Sequence, residues 1–250
     1  MGGTGHGWEG VVLKLFRGKD FTFTVTGAEQ VTEHYRRVRC TDGGLLAAAG
    51  VHPTMWVRLW FTSGGKPHQR AYTLVDPDPA TGTFALEFAL HDGPASDWAR
   101  TCAVGDTVDA TLQGTGFTAP EPKPGRLFVV GDAASLPAIN SLLGAFPGTP
   151  ATLWFETAHA SDEDLPLRLD GDLHEVRRVP RADAGAALAA RVREELPALV
   201  AATADPYVWI ACDTATTRTL AGFARKELAL PKERLHALGY WRPTRERAAV

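Results

Sequence analysis

Apolar and polar residues alternate with a period of two in several short runs of the first 120 residues, and this pattern predicts β-strands. The run MWVRLWF puts its aliphatic residues and Phe61 on one face, and its two tryptophans with Arg58 on the other. Gly, Pro and Asp end these runs, and DPDPATG is a turn expected to join two strands of a hairpin. The other runs are FTFTVTG, YRRVRC, RAYTLVD and TFALEFALHDG. Residues 1–120 are therefore predicted to form a small antiparallel β-barrel.

The pattern changes after APEPKPGR, residues 119–126, whose three prolines predict a stiff linker. Short apolar runs then alternate with helical segments, predicted over about 133–145 and 184–201 and in TTRTLAGFARKEL. The strand-like runs are RLFVVG, ATLWFET, LHEVRRV and YVWIAC. This alternation predicts a doubly wound parallel α/β domain over residues 121–250, with ligands at the carboxyl ends of its strands.

Composition narrows the class of protein without changing this division. The 250 residues are 44% hydrophobic and 22% charged, with a formal charge of −3, so we expect no binding of nucleic acid. The three cysteines form no C-x-x-C pair, and no intrinsic metal site is expected. With no long apolar run and no signal peptide, we expect a cytoplasmic protein without stable membrane insertion, and we favour a monomer.

The segment RAYT carries the first candidate site. Alternation places Arg70 and Tyr72 on one face of the strand and Thr73 on the other. An arginine offers planar donors to phosphate oxygens, a tyrosine ring can lie against a flat heterocycle, and Thr73 could hydrogen-bond its edge. The alternative is a plain hairpin with a surface arginine and a half-buried tyrosine.

HDGPAS, one hairpin later, predicts the start of a helix with Ser96 as a candidate cap. Its small residues would expose backbone N–H groups and the positive end of the helix dipole to an anion. Together with Arg70, this helix start could hold the two ends of a pyrophosphate. A structural strand-to-helix connection is the alternative.

Two strand ends of the second domain carry polar residues before a helix, Gly131 and Asp132 in VVGDAASLPAI and Cys212 and Asp213 in WIACDTATT. Both are candidates for the ligand crevice of a parallel sheet, and a structural turn is the alternative for each. A redox-active Cys212 is not favoured, because buried free cysteines are usually inert. In GYWRPTRER, Trp241 could cover a flat cofactor and Arg242 could attract an anionic substrate, and a solvated tail is the alternative. GHGWEG, residues 5–10, matches G-x-G-x-x-G by letter only and is interpreted as a flexible terminus.

In this order, the five motifs RAYT, HDGPAS, GDAASLPAI, WIACDTA and GYWR resemble the siderophore-interacting proteins, a family of ferredoxin-reductase-like flavoproteins that reduce ferric siderophores. The resemblance implies an FAD-binding β-barrel followed by an α/β domain for NAD(P)H or another electron donor. It implies that Arg70 pairs with the FAD pyrophosphate, that Tyr72 packs on the isoalloxazine and that Thr73 bonds near its N5. It also implies that the phosphate and adenosine side is held by His91, Gly93, Pro94, Ala95 and Ser96.

The chain departs from the family pattern mainly on the donor side. Asp92 stands where a glycine is common, Ala133 and Ala134 replace Glu and Thr, and Cys212 with Asp213 replaces Gly-Glu. Arg58, Lys66 and Arg242, with His68 beside the turn, are the candidates for attracting an anionic ferric siderophore.

The sequence thus predicts an FAD-dependent oxidoreductase that passes electrons from NAD(P)H to the iron of a ferric siderophore for iron uptake, with Tyr72 and Thr73 at the reacting end of the flavin. The alternatives are a flavin reductase with another acceptor, and a flavin- or siderophore-binding protein without catalysis.

Overall fold

The computed structural model describes residues 20–112 and 115–243. Among these, one compact unit comprises the residues up to Gln30 and Arg36–Phe117, and a second comprises Val31–Tyr35 and the residues from Thr118 onward. The segment GHGWEG lies outside the described residues.

The first unit is built on a curled antiparallel sheet of seven strands in the order β4-β3-β7-β1-β2-β6-β5. The strands are β1 (Asp20–Thr32), β2 (Tyr35–Thr41), β3 (Trp56–Ser63), β4 (Lys66–Thr73), β5 (Val75–Asp78), β6 (Thr83–Ala89) and β7 (Thr107–Thr111). Two helices accompany them, α1 (Leu45–Ala49) and α2 (Pro94–Thr101). The predicted antiparallel β-domain is confirmed, as a half-barrel.

A single residue, Leu74, connects the two edge strands of this sheet. Strand β4 forms one edge and β5 the other, although they are consecutive in the chain. Such a short link is possible only because the sheet curls until its edges approach each other. The continuous strand predicted through RAYTLVD is therefore wrong: the chain changes direction after Thr73, the Leu74 N–H donates to the Met55 carbonyl at 2.8 Å, and Asp76 adopts a φ of 48°.

The inner face of the sheet holds the core that the alternating pattern predicts. On β3, Val57 and Leu59 are fully buried and Phe61 nearly so, while Trp60 on the opposite face stays partly exposed. The turn predicted at DPDPATG joins β5 to β6 as an antiparallel hairpin. Asp78 holds this turn by accepting hydrogen bonds from the Ala80 N–H at 2.9 Å and the Thr81 hydroxyl at 2.7 Å.

The second unit is a parallel sheet of five strands in the order β10-β9-β8-β11-β12. Its strands are β8 (Arg126–Asp132), β9 (Ala151–Thr157), β10 (His174–Pro180), β11 (Pro206–Ala211) and β12 (Leu235–Ala237), and its helices are α3 (Leu136–Ala145), α4 (Ala186–Ala201) and α5 (Thr214–Lys226). Counted from the first strand of the unit, the order is 3-2-1-4-5. This is the order of a doubly wound nucleotide-binding sheet. The first three strands are added toward one edge of the sheet and the last two toward the other, so the order of addition reverses between β8 and β11. The predicted α/β fold is confirmed.

Two of its helices begin later than predicted. α3 starts at Leu136 instead of Ala133, because Asp132 and Ser135 form a hydrogen-bonded turn at the end of β8. Pro137 then falls in the first helical turn, where its missing N–H leaves no bond unmade. α4 starts at Ala186 instead of Ala184, since Ala184 and Gly185 both have positive φ. Among the described residues, no helix is long and apolar enough to cross a membrane.

Candidate functional site

Tyr72 lies in a cluster of four aromatic rings in the first unit. Its ring centroid is 4.4 Å from that of Phe88 on β6 and 6.5 Å from that of Phe61 on β3. Trp98 on α2 completes the cluster at 5.8 Å from both phenylalanines. Burial raises the pKa of Tyr72, against the opposing effect of Arg70, so the phenol stays neutral. The cluster fixes one side of a flat ring that is only partly exposed.

Arg70 is exposed on the same face of β4 as Tyr72. Cross-strand partners share a face of a sheet, and these two residues pair with Leu59 and Val57 of β3. Among the described residues, the guanidinium makes one hydrogen bond, from Nη1 to the carbonyl of Gln69 at 2.9 Å. Most of its donors are therefore available to an anion beside the tyrosine ring.

The other side chains predicted near the flavin's reacting end lie elsewhere on this hairpin. Thr73 is buried and pairs with Trp56, so it occupies the opposite face of the sheet, as alternation predicts. Arg58 shares that opposite face, with its guanidinium 5.2 Å from the Trp56 ring. Lys66 is exposed at the β3–β4 turn, six residues and roughly 20 Å along the strand from Tyr72. The structure thus does not bring Lys66 to the tyrosine.

The start of α2 differs from the prediction in its cap. Gly93, with a φ of 146° that favours glycine, is the N-cap, and Pro94 begins the helix. Ser96 is not the cap: it lies fully buried in the first turn, and its Oγ accepts a hydrogen bond from the His91 N–H at 3.1 Å. No side chain of the described residues caps this helix, so the N–H groups of Ala95 and Ser96 remain as donors at its positive end.

His91 stays at the surface beside this helix start. Its Nδ1 lies 2.8 Å from the carbonyl oxygen of Asp92, and a Cβ on Gly93 would lie 3.6 Å from its ring. Trp98, four residues into the same helix, touches the cluster that contains Tyr72. The helix start and the RAYT strand, which the sequence singles out separately, therefore pack on the same core.

In the second unit, Gly131 and Asp132 end β8 where the strand order reverses. A Cβ on Gly131 would lie 2.7 Å from Ile139 Cδ1, so the close approach of α3 requires glycine there. Asp132 is buried, and its Oδ1 accepts from the N–H groups of Ala134 and Ser135 at 3.0 and 3.2 Å. Burial raises its pKa to about 6, and the negative charge of Glu156 adds to the effect.

Cys212 and Asp213 follow β11 on the other side of this reversal. Asp213 caps α5 by accepting from the N–H groups of Ala215 and Thr216 at 3.0 Å each. The Cys212 thiol points into the core, with Thr217 Oγ1 3.4 Å away, and burial raises its pKa. It is therefore a protonated packing residue.

Sequence reasoning missed two charged residues at this edge, Glu156 at the end of β9 and Arg181 just after β10. Glu156 is 2% exposed and its Oε2 is ion-paired with Arg181 Nη1, which also lies 3.5 Å from Asp213 Oδ2. Part of the signal was present, since Glu156 lies near the end of a buried strand and Arg181 directly follows a strand-like run. The contact between Glu156 and Arg181 depends on the strand order, which places β9 beside β10.

Trp241 lies over this group of charges, which we call the carboxylate cluster and define as Asp132, Glu156, Asp213 and Arg181. The indole N–H donates to Asp132 Oδ2 at 2.7 Å, and the Arg181 guanidinium lies 4.8 Å from the ring. The Trp241 carbonyl accepts from the N–H and hydroxyl of Thr214. Arg242, the next residue, is exposed.

Two protein-family models match this chain, and they divide it near the same position as its two compact units. Residues 49–114 match the model of the siderophore-interacting FAD-binding domain, and residues 125–244 match that of the siderophore-interacting protein family. The mycobactin import ATP-binding/permease protein IrtA of Mycobacterium tuberculosis is 33% identical over 244 residues. That match covers 94% of this chain and 28% of the relative, so the chain spans little more than a quarter of it.

Solved structures agree on the fold. The siderophore-interacting protein of Acinetobacter baumannii superposes with a TM-score of 0.75 at 20% identity, covering 90% of this chain and 92% of that one. A ferredoxin NADP+ reductase from Neisseria gonorrhoeae, solved with FAD and NADP, gives a TM-score of 0.65 at 16% identity over 90% of this chain and all of that one. With an FAD-binding domain and a reductase-like α/β domain in one chain, the protein belongs to the siderophore-interacting protein family.

Proposed function

We propose that this protein is an FAD-dependent reductase that transfers electrons from NAD(P)H to the Fe(III) of a ferric siderophore and releases Fe(II). The observation that carries the proposal is the ring of Tyr72, held on one side by Phe88 and flanked by the free donors of Arg70. A flat aromatic ring beside a guanidinium with spare donors suits a cofactor that is itself a flat ring joined to a pyrophosphate.

The residues present fit FAD on grounds of chemistry. Arg70 would hold the pyrophosphate, and the uncapped start of α2 at Gly93 to Ser96 supplies N–H donors for its other end, with His91 beside it. Tyr72 would orient the isoalloxazine and exclude water from one of its faces. Thr73 and Trp241 keep their predicted roles, at the N5 edge and as a cover, as parts of this proposal.

Bound FAD would supply the step that no side chain here can perform, accepting two electrons as a hydride and releasing them singly. In the balanced reaction, one NAD(P)H and two Fe(III) yield NAD(P)+, two Fe(II) and one proton. Hard oxygen ligands hold Fe(II) less tightly than Fe(III), so reduction favours release of the iron. The chain's own residues bind and orient, and no side chain is required as an acid or base toward the iron.

The carboxyl edge of the second sheet, with Gly131, Asp132, Cys212 and Asp213 at its reversal, is the proposed side of the nicotinamide donor. Arg58 and Arg242 remain the proposed cations for an anionic ferric siderophore. A cytoplasmic location belongs to the same proposal, because NAD(P)H is supplied there.

The test is to load the purified protein with FAD and add NADH or NADPH without oxygen. We expect one nucleotide to bleach the flavin absorbance, and ferric siderophores to restore it with two Fe(II) captured by a chelator per nucleotide. Bleaching followed by reoxidation only by other acceptors would favour a reductase of different purpose. Retained FAD and siderophore binding without any bleaching would favour a binding protein.

The acceptor side can be tested separately. Replacing Arg242 by alanine should raise KM for an anionic ferric siderophore, more at low than at high salt, without changing the rate of flavin bleaching. Arg225→Ala, which removes an exposed cation from the last turn of α5, is the matched control. Equal effects of the two substitutions would contradict a specific role for Arg242.

A further inference from the structure

The outer face of strand β3 carries two tryptophans with an arginine between them. Trp56, Arg58 and Trp60 alternate with the buried residues of the strand, so they point away from the core. Neighbouring members lie roughly 7 Å apart along the strand, because each step spans two residues. We call these three side chains the outer ladder, and all of them belong to the first unit.

The outer ladder is held in place by contacts of its own. The Arg58 guanidinium lies 5.2 Å from the centroid of the Trp56 ring, within the range of a cation–π interaction. The Trp60 indole N–H donates to the Thr111 hydroxyl at 2.9 Å, and the residue is still 40% exposed. Among the described residues, it is the only aromatic one of the large exposed hydrophobics. A ligand would meet rings and a cation that are already ordered, which lowers the entropic cost of binding.

The positive charge of Arg58 is not neutralised locally. Among the described residues, its guanidinium makes no hydrogen bond or ion pair, and its Nε is buried without a partner. Its cross-strand neighbours, Ala71 on β4 and Thr111 on β7, are uncharged. The carboxylate on this face, Asp109, stands opposite Trp60 and accepts from the Thr22 hydroxyl at 2.8 Å. The guanidinium is therefore available to an anion.

The outer ladder begins beside the proposed reacting end of the flavin. Trp56 is the cross-strand partner of Thr73, the residue proposed to lie at the N5 edge. Strand β4, which carries Thr73, is an edge strand of the curled sheet. A flavin lying along this edge can be approached from the outer face, where Trp56 and Arg58 stand. A ligand on the outer ladder would thus lie next to the group proposed to reduce it.

We propose that the outer ladder binds an aromatic ring of the acceptor, so that the substrates are aryl siderophores, whose iron is held by catecholate or phenolate oxygens. The inference rests on the proposed function, since it assumes a ferric siderophore as acceptor. An electron-rich ring can stack on an indole or on a guanidinium, and its anionic oxygens are attracted by the free charge of Arg58.

The competing class of siderophore offers neither feature. Hydroxamate groups are aliphatic, and three of them, each with one negative charge, leave their Fe(III) complex neutral. Three catecholates, each with two negative charges, leave theirs strongly anionic. Rings and negative charge therefore distinguish the two classes at the outer ladder, and both favour the aryl complex.

The experiment uses gallium(III) complexes, because gallium has the charge and nearly the size of Fe(III) but is not reduced by a flavin. A hexadentate tris-catecholate complex and a hexadentate tris-hydroxamate complex are titrated calorimetrically into the FAD-loaded protein at low and moderate salt. The tris-catecholate should bind at least about tenfold more tightly, and the preference should shrink as salt screens the charges. Equal binding, or tighter binding of the tris-hydroxamate, would overturn the inference.

Substitutions test whether the outer ladder carries this preference. Arg58→Gln removes the charge, and Trp60→Leu replaces the exposed ring by an aliphatic side chain. Each should weaken binding of the gallium tris-catecholate by about threefold to thirtyfold and leave binding of the tris-hydroxamate unchanged. Arg218→Gln, which removes an exposed cation from α5 in the second unit, is the matched control and should change neither Kd.

Wild-type affinity for the tris-catecholate in both folded ladder variants would contradict the assignment. Self-association of the protein that Trp60→Leu abolishes, with no difference between the two gallium complexes, would show that this face binds a second copy and would also overturn it. The comparison of the two complexes in the wild-type protein needs no variant, so it decides the preference even if a substitution prevents folding.

The same complexes with iron separate this inference from the proposed function. Selective binding of the gallium tris-catecholate without reduction of the ferric one would contradict the reductase and leave the outer ladder as a binding site. Reduction of both ferric complexes with equal KM, together with equal gallium Kd values, would contradict the outer ladder and leave the reductase.

Discussion

At the scale of single residues, Arg70 is an exposed side chain on strand β4 whose guanidinium has hydrogen-bond donors to spare. Within the described part of the chain, the Arg70 guanidinium is bonded only to the neighbouring Gln69 carbonyl and contributes little to folding. Its replacement should therefore affect ligand binding and leave stability nearly unchanged. A loss of ligand binding without a loss of stability would distinguish a binding residue from an ordinary surface arginine, the alternative that the sequence alone leaves open.

Arg70→Ala should weaken FAD binding by roughly 1.5–3 kcal/mol, more than about tenfold in Kd, because it removes a charge-assisted phosphate contact. Fluorescence titration of the apoprotein with FAD measures the effect. Arg39→Ala, which removes an exposed arginine paired with Glu29, is the control and should leave Kd unchanged. Equal Kd values for Arg70→Ala and wild type would mean that the pyrophosphate lies elsewhere.

Asp132 gives a second prediction at this scale. Its pKa is raised from the ordinary 3.8 to about 6 in the fold, so the folded protein binds its proton more tightly than the unfolded chain does. The stability from this group is complete below about pH 4 and is lost as pH rises through 6. Trp241→Phe removes a hydrogen bond that lowers this pKa, so the Asp132 titration should move to higher pH.

Carbon-13 NMR of the aspartate carboxyl groups measures that shift. Trp60→Phe is the control, because its indole also donates a hydrogen bond, but to the neutral hydroxyl of Thr111 in the first unit. A titration of Asp132 that moves to lower pH in Trp241→Phe would show that the indole does not stabilise the carboxylate.

At the scale of elements, β2 and β6 are joined by one buried ion pair. Arg37 donates from Nε to Glu87 Oε1 at 2.8 Å, and the Glu87 side chain is 1% exposed. Two residues further along β2, Arg39 makes an ion pair with Glu29 in which both side chains are about half exposed. The same strand thus carries two pairs of similar chemistry and different burial.

Arg37→Ala should lower the free energy of unfolding by about 3–5 kcal/mol, because it leaves the Glu87 charge buried without its arginine. Arg39→Ala should lower it by less than about 1 kcal/mol, since water screens an exposed pair. Urea denaturation followed by circular dichroism compares them. Similar losses in the two variants would show that burial does not decide the value of these pairs.

At the scale of the whole molecule, two compact units with separate cores carry the two candidate sites. Apart from Trp241, the proposed cover, the residues proposed to hold FAD lie between Arg70 and Ser96 in the first unit, and the carboxylate cluster lies in the second. A ligand stabilises the structure to which it binds, so each ligand should protect its own unit.

FAD at 100 times its Kd should stabilise its unit by about 2.7 kcal/mol. Hydrogen–deuterium exchange should then show slower exchange of the amides of β3, β4 and β6, with β9 and β10 little changed. NAD+ should give the reverse pattern. Uniform slowing by FAD across both sheets would contradict assignment of most of its contacts to the first unit.

Much of the architecture follows from local pattern. Three properties of short segments predict the antiparallel sheet and the parallel sheet that follows it. They are the period of two on β3, the turn residues of DPDPATG, and the change near residue 119 from strand-like runs to alternating strands and helices. RAYT and HDGPAS can also be recognised locally, because a guanidinium, a phenol and a helix start made of small residues keep their chemistry in any fold.

Only tertiary structure decided which distant residues meet. Leu74 bridges two sheet edges because the sheet curls, which no strand pattern specifies. Asp132, Glu156 and Asp213 are 24 and 57 positions apart in sequence, and they share one edge because the strand order 2-1-4 places their strands side by side. Residue types and spacing determine which groups can act locally. The electrostatic interaction between distant carboxylates depends instead on the distances between their strands, which are set only when the sheet forms.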